Sequence, residues 1–167
     1  IFVLLLAPEF FQPLGTLARI DSVINRYDDG RVDILTIGTE RVRVDHFHSD
    51  QPYLEGTVRP IHDRPYEEPE QLSRDVDSAV SALADFAKEA GYTLDRTVLE
   101  GLNYEELSFF LAATDVFSLE EKQELLVLRS TAARLRKVTE TLKSRAEERR
   151  KLEEVRKVLG RSDDISH

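Results

Sequence analysis

The chain has 167 residues, 41% of them hydrophobic and 33% charged, with a net charge of −9 and no cysteine, methionine or tryptophan. Those figures suit a water-soluble globular protein of one large or two small domains. They exclude disulfides, thiolate metal sites and cysteine nucleophiles, and they disfavour a general nucleic-acid binder, which needs clustered Lys and Arg against phosphate.

The opening run Ile1 to Ala7 is apolar but far too short to span a membrane, and no basic segment precedes it. A buried strand is expected there, no membrane partner, and the cytoplasm as the default compartment. The lack of methionine suggests that segments are missing from the sequence. From Gly15 to Arg59 the pattern is β. Thr16–Ile24 forms one strand, Asp28-Asp29-Gly30 supplies a tight turn, and Val32, Ile34 and Thr36 alternate with Asp33, Leu35 and Ile37. Gly38 is expected to end that strand. Glu40–Val44 and Tyr53–Arg59 follow as two more, and short strands with Gly, Asp and Pro turns predict a small barrel or closed meander.

The stretch His62–Pro69 has no apolar period and reads as a linker, which places a β domain over 1–66 and a helical domain over 67–167. Ser73 is the expected N-cap of the first helix, with Asp75 and Asp77 near its positive end. Val76, Ala79, Val80, Leu83, Phe86, Ala87 and Ala90 follow a helical period, and Gly91 sits where the helix should stop. Asn103-Tyr104-Glu105-Glu106 announces a second helix burying Leu107, Phe110, Leu111 and Phe109. Ser118-Leu119-Glu120-Glu121 is a capping box that opens a third. One stripe, Leu125, Leu128, Ala132, Leu135, Val138, Leu142 and Ala146, predicts that this third helix is long and runs on to Gly160. Beyond Ala146 only Leu152, Val155 and Leu159 continue the stripe, so its end should project or self-associate. The basic run Arg145 to Lys157 is interleaved with Glu147, Glu148, Glu153 and Glu154 and reads as a solvated face.

Catalytic motifs are scarce. There is no G-x-x-x-x-G-K-[ST] loop, no G-x-S-x-G elbow and no H-E-x-x-H helix, so neither a nucleotide cofactor nor any other is implied. On a strand, His46 and His48 would share a face near Asp50, which allows a metal site but supplies no evident third ligand. Glu105-Glu106 and Glu120-Glu121 are paired carboxylates in first helical turns, where the helix dipole accounts for them. Phe10-Phe11 and Phe109-Phe110 each put one ring on the core side and leave the other to grip an apolar peptide. The candidates for contact with an unfolded or partner polypeptide are thus Phe10, Phe11, Tyr53 and Phe109.

Several pieces in order resemble one family. Gly15-Thr16-Leu17-Ala18-Arg19-Ile20, Asp29-Gly30-Arg31, Gly38 to Val44, and Pro52-Tyr53-Leu54 with Val58 resemble the N-terminal domain of Lon proteases. That family shows a G-x-x-A-x-I strand, a D-G-R turn, a G-x-x-R-F-x-I strand and a Y-L-x-A-x-V strand. Ser108 to Ala112, and Glu121 to Leu126 followed by Arg134-Leu135, are similar to its S-F-x-x-A and K-Q-x-L-L-E…R-L signatures. The resemblance spans Gly15 to Leu142. It implies an α+β protein: a PUA-like small β barrel, then a helical bundle with a long C-terminal helix. It also implies substrate recognition and assembly rather than ATP hydrolysis or peptide cleavage, whether in a fragment of a protease or in a stand-alone protein. Two features depart from the family: Val42 stands for the usual Phe, and no F-E-x-R-Y helix precedes Gly15, so the resemblance implies that the missing segment lies near residues 7–14. A small metal-dependent hydrolase using His46 and His48, and an RNA-binding PUA-like domain, stay open as alternatives.

Overall fold

The computed structural model describes residues 2–4, 14–65 and 68–163, with side chains over 14–65 and 68–159. The expected missing segment at 7–14 and the ring pair Phe10-Phe11 fall almost wholly outside them. The chain divides into two compact units, Ile1–Asp63 and Arg64–His167.

The first unit is an antiparallel meander of β1 (Phe2–Leu4), β2 (Leu14–Arg26), β3 (Val32–His48) and β4 (Glu55–Pro60), ordered β1-β2-β3-β4. Gly30 turns the β2–β3 hairpin with φ 89°, its N–H bonded to the Tyr27 carbonyl at 3.0 Å. A positive φ costs glycine nothing, which is why it follows Asp28-Asp29 here. Gly38 does not end a strand. β3 runs through it for 17 residues, and Thr39 is the extra residue of a bulge opposite Leu17 and Ala18. A Cβ at Gly38 would lie 3.0 Å from Thr16 Cγ2, so the glycine answers a close cross-strand approach rather than a break.

Among the described residues of this unit Ala18, Val42 and Val44 are the buried apolar ones, and Val42 fits with no exposed surface. The buried ion pair Arg41–Asp63 and the Ile61 N–H to Arg41 carbonyl bond (2.9 Å) fasten the chain leaving β4 back onto β3. The sheet followed by helices is the expected α+β arrangement, and among the described residues β1 and β4 are not paired. The described pairings are β1 with β2 over Thr16–Ala18 and β4 with β3 over Val42–His48.

The second unit is helical, with α1 (Pro69–Glu89), a 3₁₀ turn (Arg96–Leu99), α2 (Tyr104–Ala112), α3 (Leu119–Val127) and α4 (Thr131–Asp163). Helix α1 starts four residues before the expected Ser73 cap. Pro69 occupies its first turn, where the missing N–H costs nothing. It stops as a Schellman turn: Tyr92 N–H reaches the Ala87 carbonyl at 2.8 Å and Gly91 N–H the Lys88 carbonyl at 3.0 Å, with Gly91 at φ 82°.

Both expected capping boxes form. Asn103 Oδ1 accepts from Glu106 N–H at 3.0 Å while Glu106 accepts from Asn103 N–H at 2.9 Å, and Ser118 and Glu121 do the same. Asn103→Ala and Ser118→Ala should each cost about 1 kcal/mol in urea unfolding followed by circular dichroism. Unchanged midpoints in both variants would contradict the caps. Beside the second box, Glu120 bonds its own backbone N–H and the Ser118 hydroxyl, which hold its pKa below the ordinary 4.5. A depressed carboxylate stabilises the fold above that ordinary value and loses the contribution as pH falls through the lowered one.

The third helix is not continuous. It ends at Val127, Leu128 turns to an extended ψ of 126°, and α4 restarts after Ser130. Ser130 Oγ accepts from Ala133 N–H at 3.2 Å, so the corner has its own N-cap. Arg64 N–H takes up the Arg129 carbonyl at 2.9 Å. Helix α4 passes through Gly160 to Asp163, since one glycine costs a helix only about 1 kcal/mol and cannot stop it alone. The core joins Leu72, Ala79 and Leu83 of α1, Leu107 and Leu111 of α2, Leu125 of α3, and Leu135, Val138 and Leu142 of α4. Among the described residues no helix is long and apolar enough to cross a membrane.

Candidate functional site: an exposed apolar hairpin

The distal half of the β2–β3 hairpin is where the sequence leaves apolar side chains in water. Register pairs Val23 with Ile34, Ile20 with Thr36 and Arg26 with Val32, and residues paired across strands share a face. Ile20, Val23, Ile34 and Val32 therefore make one stripe. Ile20 is 40% exposed, Val23 43% and Val32 44%, while Ile34 is half-buried. On the opposite face Leu35 and Ile37 are also exposed.

The hairpin tip is braced by polar contacts. Tyr27 donates its hydroxyl to Asp33 Oδ2 at 2.7 Å, Arg31 Nε donates to Asp29 Oδ2 at 2.8 Å, and the Arg31 guanidinium stands 5.1 Å from the Tyr27 ring. A fixed tip presents the stripe without the ordering cost that a floppy loop would carry on binding. Chemically this surface can cover apolar side chains and offer backbone hydrogen bonds.

The residues anticipated for binding fare differently. Tyr53 lies in the bend before β4 and is 63% exposed, with exposed Leu54 beside it. Of the two adjacent rings, Phe109 is the more buried and Phe110, expected in the core, the more exposed. Phe109 is half-buried with the Arg134 guanidinium 3.7 Å from its ring centroid, and Phe110 is 41% exposed instead of core. Adjacent helical side chains diverge by about 100°, and the buried Arg134 takes the Phe109 side. Phe10 and Phe11 lie outside the described residues.

His46 and His48 do share a face, with ring centroids 5.1 Å apart. His48 Nε2 is 3.0 Å from the Thr57 hydroxyl, and Asp45 faces Arg59 at 2.8 Å. Among the described residues no group of three or more His, Asp or Glu could hold a metal ion. Glu106 and Glu121 serve the capping boxes, and Glu121 also takes two bonds from Arg145 Nη2 at 2.9 and 2.7 Å. The stripe itself escaped sequence reasoning. Its one signal was Ile34-Leu35-Thr36-Ile37, apolar at both parities in a strand that ought to have a wet face.

Comparison with known proteins agrees with this architecture. The Lon protease of Desulfosudis oleivorans is 28% identical over 142 residues, 84% of this chain, and the match spans only 17% of the length of that protein. The N-terminal domain of a Mycobacterium avium complex Lon protease shares the fold at a TM-score of 0.63 and 16% identity, over 81% of this chain and 73% of that one. The family model for the substrate-binding domain of the ATP-dependent protease La (LON) matches residues 7–144. A sheet followed by helices and that match over most of the chain lead to one conclusion: this chain belongs to the Lon substrate-binding domain family.

Proposed function

We propose that the chain is a non-catalytic recognition module that holds unfolded polypeptide for an ATP-dependent protease whose ATPase and peptidase lie in other domains or chains. The observation that carries this reading is the uncovered Ile20, Val23, Val32 and Ile34 stripe on a braced hairpin, in a domain of a substrate-binding family. Apolar side chains are what an unfolded chain exposes and a folded one hides, so such a surface discriminates by folding state. The test is fluorescence anisotropy with a labelled, permanently unfolded model protein, reduced and carboxymethylated. Binding in the micromolar range without release of phosphate from ATP is expected. Absence of binding at any salt concentration would overturn the reading.

A second association belongs to α4. Leu152, Val155 and Leu159 recur at helical spacing and are exposed, which supports self-association through this end. Leu152→Glu should then lower the mass measured by light scattering, and an unchanged mass would contradict it. A zinc hydrolase at His46 and His48 and an RNA-binding role gain no support, the second also because of the −9 charge.

A further inference from the structure

We infer that the outer edge of β3, over Val32–Gly38, captures an extended segment of polypeptide by strand addition, the segment being apolar at its centre and flanked by Lys or Arg. The inference rests on the function proposed above and specifies how and where the polypeptide is held.

The two long strands of the hairpin are not equally open. Among the described residues, β1 pairs with the outer side of β2 over Thr16–Ala18, and β4 pairs with β3 over Val42–His48, the chain leaving β4 adding one bond at Arg41. The remaining edge of β2 is guarded. Its pairing shifts at Asp21 and at Ile24, and Arg19, Asp21 and Arg26 put charges along it. Bulges and charges are the means by which sheet edges are kept from taking another strand.

The edge of β3 lacks these guards. From Val32 to Gly38 it advances residue by residue, without an extra residue of its own. Its single charge is Asp33, which accepts the Tyr27 hydroxyl. Alternate backbone N–H and C=O groups of this run face away from β2, and no other described strand meets them. An added segment antiparallel to β3 continues the ladder that β4 already makes, on the same edge and in the same direction as β4, beginning past the Ile61 bond to Arg41. Its side chains alternate between the Val32 and Ile34 face and the Leu35 and Ile37 face, so apolar residues are favoured at successive positions. With Asp33 as the lone edge charge and −9 on the chain, basic flanks are favoured over acidic ones.

The experiment uses the whole chain and the labelled heptapeptide Lys-Val-Thr-Val-Ile-Val-Lys, with a second copy N-methylated at alternate residues. Methylation removes the donors a strand needs and leaves the side chains in place. Binding of the parent peptide with at least tenfold loss on methylation is expected, together with a similar loss for the Leu35→Lys/Ile37→Lys double variant of the chain at an unchanged unfolding midpoint. Equal affinity for both peptides overturns strand addition while polypeptide recognition still stands. Full affinity in the double variant moves the peptide off this edge and overturns the assignment. If neither peptide binds although the unfolded protein does, the edge is not the site; if nothing binds, the proposed function falls with it. A dimer that the double variant dissolves and the peptide does not compete for would give the edge to a second copy, against the inference.

Discussion

Replacing Arg134 by alanine should destabilise the chain by about 3–5 kcal/mol, the range for truncating a large, fully buried side chain. Arg134 has no exposed surface, yet it lies where three helices meet. Its Nε donates to Ser108 Oγ of α2 at 2.8 Å, and its Nη1 donates to the Leu128 carbonyl at the α3–α4 corner, also at 2.8 Å. The guanidinium covers the Phe109 ring. Truncation leaves buried acceptors without a donor and opens a void beneath the ring, so two costs add. Lysine offers one charge in place of a planar fork and should recover less than half of the loss. Urea unfolding of the whole chain, followed by circular dichroism at 222 nm, measures both variants. A loss below about 1 kcal/mol for Arg134→Ala would show that the corner is held by apolar packing alone.

The second large effect is expected in binding. The double substitution Val23→Glu/Val32→Glu should weaken capture of the unfolded model protein by at least tenfold, about 1.4 kcal/mol. It puts two carboxylates on a face that has to be desolvated by apolar contact, and the chain is already acidic. Both positions are more than two-fifths exposed in the free chain, so stability should change by no more than about 1 kcal/mol per site, the span of strand propensities. Affinity and stability are therefore expected to part company. Wild-type affinity in this variant would remove the hairpin from the account, whereas unfolding would show that the stripe is core after all.

What could be read in the sequence is what is local in the chain. Asn103 with Glu106, and Ser118 with Glu121, are caps whose partners lie three residues away, and both formed as expected. Gly91 ended α1 for the same reason. The α3–α4 corner was hidden because Leu125, Leu128 and Ala132 keep a helical spacing straight across it. Only Ser130, an N-cap type inside an apolar stripe, marked the restart. That Phe110 is more exposed than Phe109 was hidden because the choice depends on Arg134, more than twenty positions further on. Gly38 looked like a break, and only its cross-strand neighbour Thr16 explains it. The hairpin stripe is the plainest case. An alternating strand reads identically whether its apolar face is covered or bare, and cover depends on how far β1 and β4 extend, which no local pattern encodes.

Amide hydrogen exchange of the whole chain, with and without saturating unfolded model protein, addresses the central claim most directly. The account predicts slowed exchange concentrated between Arg19 and Gly38, with the helices from Pro69 onward unchanged. Slowing confined to those helices, with the hairpin exchanging as it does in the free chain, would contradict it.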